Sequence, residues 1–363
     1  LSSEAARSAP PAVGDGAPYL DCAPGYAATV YVRGLQSPDG LAFGPNGLLY
    51  VVEEKARQVV RVNADGSTTP VLGRLRSPEG IAFDDAGNLY VVEDVYRGRL
   101  IRLAPDGRST TLAENLSGSE GVAIGPGEDG APVAYVTESN VQFVRNPFRL
   151  RSGITAVSAA GERTPVIAHA SGPVGQRVSF WSYAGLTIGG DGQLYVTNEL
   201  SGLEVSRGVA LLAKILSFTA KLLTRDSVFA IDPADGSRTL VASGLLVPEG
   251  LSFAADGDFP LYVAEERIGR RGRLSRVEQD GRRTTVCDGF RGIEDVVVDR
   301  NRDLYVSEDK SGSVIRIQVP ETAGQAPALD PGLFGEKELR RRLAQIASRA
   351  IGRIRFYVQI VGG

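Results

Sequence analysis

The chain has 363 residues, 42% of them hydrophobic and 23% charged, with a net charge of −3, which are globular proportions for one large domain or two ordinary ones. The weak acidic balance gives no general pull towards nucleic acid or an anionic membrane, and no apolar run reaches the roughly 18 residues of a membrane span. A single histidine, His169, and two separated cysteines offer neither a nucleophilic triad at repeated positions nor a His/Cys zinc centre.

Residues 1–27 form an Ala/Pro/Ser-rich lead without methionine, as expected after removal of a signal peptide and equally of a trimmed chain. ATVYVRGL at 28–35 then reads as a strand. Six related segments follow: SPDGLAFGPNGLLYVVEE at 37–54, SPEGIAFDDAGNLYVVED at 77–94, SEGVAIGPGEDGAPVAYVTES at 119–139, YAGLTIGGDGQLYVTNE at 183–199, PEGLSFAADGDFPLYVAEE at 248–266 and IEDVVVDRNRDLYVSED at 293–309. Each is two apolar runs around a Gly- or Asn-rich turn, a β-hairpin signature. A third and a fourth strand follow through a D-G or A-G turn, as in QVVRVNAD and STTPVLGRL of the first unit. Repeats of this length with four short strands predict an all-β, six-bladed propeller of antiparallel blades over 28–319. The sixth unit has a third strand at 313–319 but no fourth. Residues 28–35 are expected to supply it, closing the ring and covering an open edge.

Extra length is concentrated at 139–153, 168–183 and 199–226, on the edge where the hairpins end. These insertions are expected to cover the channel mouth, with Phe143, Phe148, Phe180, Trp181 and Tyr183 as its aromatic lining. Within the last, Leu211, Ile215, Phe218 and Leu222 recur at helical spacing, predicting a helix over 205–223. After a Pro/Ala-rich linker, Leu339, Leu343, Ile346 and Ala350 predict an amphipathic helix over 336–354. Both read as packed helices, with a substrate lid as an alternative for the first and peripheral membrane contact as an alternative for either.

Two acidic series run through the repeat. The residue before the first strand's Gly is Asp39, Glu79, Glu120, Ala184 and Glu249, with Glu294 aligned at that place in the last copy; the residue ending the second strand is Glu53, Glu93, Glu138, Asn198, Glu265 and Glu308. Antiparallel pairing puts both positions on one edge, so two acidic rings are expected at one mouth of the channel. Converging carboxylates repel and hold protons unless a counter-charge is present. They suit a hard cation, best Ca²⁺ with its flexible oxygen coordination, general acid/base work or a cationic ligand. Capping of strand ends is the structural alternative.

The P-[DE]-G-φ-A-F…LYV-x-[ED] repeat resembles the gluconolactonase/regucalcin family of propellers and the wider NHL-repeat group. That resemblance implies a divalent cation bound at the channel mouth by Asp39, Glu79, Glu120, Glu249 and Glu294, acting on a lactone or phosphoester, with a carboxylate such as Glu249 or Glu294 as base or nucleophile. The chain departs from the family in having almost no Asn among these positions and an Ala184 gap in blade four. Strictosidine-synthase-like propellers are also similar in layout. They imply a lyase or condensing enzyme for a cationic substrate, with Glu294 or Glu308 as base. A non-enzymatic ligand- or protein-binding propeller is the third reading.

Cys287 falls in the outermost strand of blade five, and Cys22 lies just before the proposed outermost strand of blade six. Adjacent blades bring these segments together, so a disulfide is expected, with two free thiols as the alternative. A bridge implies an oxidising compartment, and with the trimmed lead a secreted or periplasmic protein.

Overall fold

A computed structural model describes residues 16–127, 130–142, 149–168, 178–180, 183–198, 203–205, 226–254, 257–266 and 271–320. Six four-stranded antiparallel sheets follow one another along the chain. Their innermost strands are Pro38–Phe43, Pro78–Phe83, Val122–Pro126, Tyr183–Ile188, Pro248–Phe253 and Ile293–Val298. These six touch in cyclic order, the last against the first, so the ring is closed around an axial channel.

The Leu-Tyr-Val runs form the second strands, and Leu89–Glu93, Leu194–Asn198, Leu261–Glu265 and Leu304–Glu308 are buried along their whole length. Burial on both faces explains why they read as continuous apolar runs rather than alternating ones. The apolar side chains gather into six clusters, each joining two neighbouring blades. Val51 and Val60 of blade one, for example, pack against Tyr305 and Val314 of blade six. The repeated Tyr also meets the Phe ending the next blade's first strand edge-on: Tyr50 with Phe83, Tyr195 with Phe253 and Tyr305 with Phe43, a preferred aromatic geometry.

The N-terminal strand Ala27–Arg33 is the outermost strand of blade six, antiparallel to Ser313–Gln318. Before it, Asp21–Cys22 adds a fifth strand to blade five, with Cys22 directly opposite Cys287. The two cysteines form a disulfide. The lead is therefore fastened across the junction where the ring closes.

Several expectations meet a different local structure. Most of 139–153 is not a separate loop: strands Pro132–Gln142 and Arg149–Ser158 stay paired as far as Gln142 and Arg149, prolonging blade three. Val178–Phe180, which contains Phe180, pairs with Leu203–Val205 in a two-stranded sheet. Tyr183 is 1% exposed and belongs to the core between blades three and four, so it is no part of a cover. Its burial follows from its place in a strand packed between blades. Phe143, Phe148, Trp181, His169 and both expected helices, 205–223 and 336–354, lie outside the described residues. Among the described residues there is no helix.

Candidate functional site at the channel mouth

The inner strands line a channel of about 560 Å³. Asp39, Glu79, Glu120, Ala184, Glu249 and Glu294 all lie on its wall, as the repeat alignment expects. The glycine after every one of them but Glu294 explains how the blades come so close. A Cβ on Gly80 would stand 2.4 Å from the Glu120 carbonyl oxygen, and one on Gly40 would stand 2.2 Å from that of Glu79. Only a residue without a side chain allows this approach. Thr137 and Thr197 fix the same wall by donating hydroxyl hydrogens to the carbonyls of Ala184 (2.9 Å) and Glu249 (2.7 Å).

Blade six breaks the glycine rule. Asp295 stands where the other five blades have glycine, and its carboxylate accepts the N–H of Leu41 in blade one at 2.9 Å and that of Val296 at 2.7 Å. It fills space that Gly250 leaves, since a Cβ there would meet Asp295 Oδ1 at 1.9 Å. Asp295 thus adds a side-chain link between the last blade and the first.

The second acidic series does something other than ring the mouth. Glu53, Glu93, Glu138, Glu265 and Glu308 are buried and do not line the channel. Each accepts the backbone N–H of the residue two positions ahead of its own blade's first strand or nearby: Gln36, Arg76, Ser117, Leu246 and Arg291, at 2.7–2.9 Å. The next residue in every case has positive φ: Ser37, Ser77, Gly118, Val247 and Gly292. Such a turn is costly for Val247 in particular, and the carboxylate clamp holds it. The second oxygen is satisfied as well. Arg76 and Arg99 pair with Glu93, Thr155 donates to Glu138, and Arg273 and Ser275 serve Glu265. For Glu308 the donors are Ser311 and, from the N-terminal lead, Tyr19 at 2.6 Å. Glu308 therefore sits off the channel among structural partners, contrary to its expected role as a base. Asn198 holds the same place in blade four and is fully buried.

Strand alternation sends the following residue the other way. Glu54, Asp94, Ser139, Glu266 and Asp309 each donate their N–H to the carbonyl of the positive-φ residue, at 2.7–3.0 Å. Of these, Asp94 meets the ring: carboxylate oxygens of Glu79, Asp94 and Glu120 all lie within 4.8 Å of one another. Asp94 is a member of the candidate site that the sequence reading misses. Its signal is the acid doublet Glu93-Asp94, whose members must point to opposite faces of a strand.

The electrostatics of the mouth follow from burial and crowding. Burial first, then the negative charges of Asp295, Glu54 and Asp94, hold the Asp39 carboxyl well above the usual range. Glu79 is raised in the same way by burial and by Asp39, Asp94 and Glu120. Glu294 is pushed up to about 10 by burial, Asp39, Glu266 and Asp309. Burial raises Asp295 to about 7, against the two backbone N–H groups that favour its charge. Crowded carboxylates of this kind repel one another when ionised, and a cation among them would relieve that repulsion.

The architecture is shared with solved propellers. A gluconolactonase from Xanthomonas campestris matches with a TM-score of 0.58 at 16% identity, over 86% of this chain and 96% of that one. The fold is that of the gluconolactonase-type propellers. A virginiamycin B lyase from Staphylococcus aureus matches with a TM-score of 0.50 at 15% identity, over 81% of this chain and 88% of that one. An auxiliary nutrient binding protein from Bacteroides ovatus matches with a TM-score of 0.55 at 14% identity, over 81% and 76%. No protein-family model matches the sequence, and no curated protein matches it either. A gluconolactonase, a lyase and a binding protein on one architecture leave function to be argued from the site.

Proposed function

We propose that the protein is a divalent-cation-dependent hydrolase of a lactone or related ester, with Ca²⁺ the best-suited ion. The observation that carries this reading is the convergence of Glu79, Asp94 and Glu120, with oxygens within 4.8 Å of one another, at the mouth of the channel. An all-carboxylate donor set with no His or Cys suits a hard cation. These three residues would hold it, and a bound cation would polarise an ester carbonyl. The channel volume of about 560 Å³ falls in the range of small-molecule sites.

The chain's own part is proton handling and positioning. Hydrolysis of a lactone adds water oxygen to the carbonyl carbon, breaks the ring C–O bond and moves one proton to the departing ring oxygen. Glu249 and Glu294, on the same wall, are the groups placed to take that proton and return it. Glu294, pushed up to about 10, holds its proton at neutral pH and so suits delivery of a proton to the departing ring oxygen, leaving Glu249 to take one from water. At Ala184 blade four brings no carboxylate to the channel wall, and the body of the substrate would lie against that stretch of wall. The disulfide fits an oxidising compartment, and we place the protein in the periplasm or outside the cell.

A panel of γ- and δ-lactones and simple esters, assayed with Ca²⁺ and after chelation, tests the reading. Expected is hydrolysis that chelation abolishes and that Glu79→Gln or Asp94→Asn lowers at least a hundredfold, about 2.7 kcal/mol of transition-state stabilisation. Turnover that survives both chelation and Asp94→Asn would overturn it. Tight Ca²⁺ binding with no turnover of any lactone or ester would leave a binding module in its place.

A further inference from the structure

The turns on the mouth edge of blades one and two carry a row of arginines. Arg57 lies between the second and third strands of blade one, Arg74 between blade one and blade two, and Arg97 at the start of the third strand of blade two. All three are exposed, and hydrogen bonds join their turns. Arg57 Nε donates to the Leu75 carbonyl at 2.7 Å, and the Leu75 N–H donates back to the Arg57 carbonyl at 3.1 Å. Arg76 Nη2 donates to the Arg97 carbonyl at 2.9 Å. The row adjoins the candidate site. Arg97 follows Asp94 by three residues, and Arg57 likewise follows Glu54, whose charge acts on Asp39 and Glu79.

Arginine is not what the backbone favours here. Arg57, Arg74 and Arg97 have φ of 59°, 61° and 59°, in the left-handed region that suits glycine. Other blades do put glycine at the same two places of the repeat. Gly312 of blade six matches Arg57 and Arg97, four residues after the clamping glutamate. Gly34, Gly244 and Gly289, with Asn115 in blade three, match Arg74, two residues before the clamped N–H. Nor does the fold use the three charges. Arg76 and Arg99 pair with Glu93, but Arg57, Arg74 and Arg97 make no ion pair among the described residues. The Arg97 guanidinium rests over the ring of Tyr96, 5.3 Å from its centroid, and Tyr96 is itself 49% exposed. Guanidinium groups held this way suit a carboxylate or phosphate, which they bind through paired N–H donors.

We propose that Arg57, Arg74 and Arg97 form an anion-binding row that holds a carboxylate or phosphate group of the substrate, so that the enzyme selects anionic lactones or esters. This rests on the hydrolase reading above. A substrate would lie across the cation held by Glu79, Asp94 and Glu120, with its anionic group on blades one and two and the rest of it towards Ala184. The carboxylates of the mouth repel such a group, and a row of positive charge beside them draws it in.

Two experiments on the full chain test the row, each comparing wild type with the double variant Arg74→Gly, Arg97→Gly and with Arg302→Gly. Arg302 is another exposed arginine at positive φ, 72°, in the turn between the first two strands of blade six. That turn is on the edge opposite the mouth, so the variant controls for relief of the backbone. In the first experiment the metal-stripped proteins are titrated with inorganic phosphate and melted. Expected is saturable binding to wild type and Arg302→Gly that the double variant weakens at least about tenfold. Both variants should melt no lower than wild type, because glycine accepts the same φ. In the second, hydrolysis with Ca²⁺ is compared for a γ-lactone carrying a carboxybutyl chain and for the matching amide. Expected is a preference for the acid of about tenfold or more in kcat/KM, which falls towards one in the double variant alone. A wild type that does not bind phosphate, or binding that the double variant keeps, would overturn the row. Phosphate binding lost in the double variant, with no preference for the acid in wild type, would overturn its part in substrate recognition. No turnover of either lactone would refute the hydrolase reading, and the phosphate titration would still decide whether the row binds anions.

Discussion

Removing residues 1–35 is expected to make the protein aggregate or fail to fold. The deletion takes away Ala27–Arg33 and leaves Ser313–Gln318, a mostly buried apolar strand, with a bare edge. An exposed edge of that kind is a template for pairing between chains. Val30 and Val32 leave the two core clusters that flank blade six. Glu308 loses the Tyr19 hydroxyl, and the disulfide goes with Cys22. The milder double substitution of Cys22 and Cys287 by Ser isolates the last of these. The bridge spans 265 residues, and the chain-entropy account gives roughly 5 kcal/mol for so long a loop, an upper figure. Denaturant melts of the three proteins measure both effects. A truncated protein that melts like the full chain would show that blade six closes without the N-terminal strand.

The second large effect is an inverted pH dependence in the metal-stripped protein. Asp39, Glu79 and Glu294 bind their protons more tightly in the folded chain than in the unfolded one. Between the ordinary carboxylate range and those raised values, the folded state carries more protons, so stability falls as pH rises. Each such group contributes at most about 1.4 kcal/mol per pH unit across its window. Glu93 works in the opposite sense: burial opposes its ionisation, but Arg99 and Arg76 outweigh burial and lower it, so its contribution is lost only as pH falls below the usual carboxylate range. The melting temperature without cation should therefore be highest near pH 5 and drop towards pH 8. Saturating Ca²⁺ at pH 8 should restore it, because a bound cation removes the repulsion. A melting temperature that is flat from pH 5 to 8, or that ignores Ca²⁺ at pH 8, would mean that the carboxylates are neutralised in some other way.

The propeller was legible because its signal is repeated. Six hairpins, D-G turns and an orphan third strand at 313–319 leave little choice of architecture, and the N-terminal strand falls where the missing one is needed. The first acidic ring was legible for the same reason, since every member but Glu294 precedes a glycine that only close blade contact explains. The second ring was misjudged because residues on one edge of a sheet need not share a face. Glu93 and Asp94 are adjacent, yet one is spent inside the blade on the Arg76 amide and the other reaches the mouth. A repeat alignment shows that both are acidic and is silent on which way each points. Tyr183 was misassigned by position, because an aromatic at the end of an insertion reads the same as one that begins a buried strand. Asp295 was visible as the one break in the glycine series, but its role depends on a hydrogen bond to Leu41, 254 residues away, which no local pattern encodes.

The central claim is that Glu79, Asp94 and Glu120 together bind one divalent cation, and Asp94 is its most discriminating member because it lies outside the aligned ring. Calcium titration of the metal-stripped wild type and of Asp94→Asn, followed by calorimetry at pH 7.5 (about neutral, where an ordinary carboxylate is ionised), tests it most directly. The account predicts saturable binding of one ion to the wild type, with a gain of about 2.7 kcal/mol in stability at a hundredfold excess over Kd. It predicts that Asp94→Asn, unchanged in fold, loses most of that affinity. A wild type that gives no binding heat and no stabilisation, or an Asp94→Asn protein that binds Ca²⁺ as the wild type does, would contradict it.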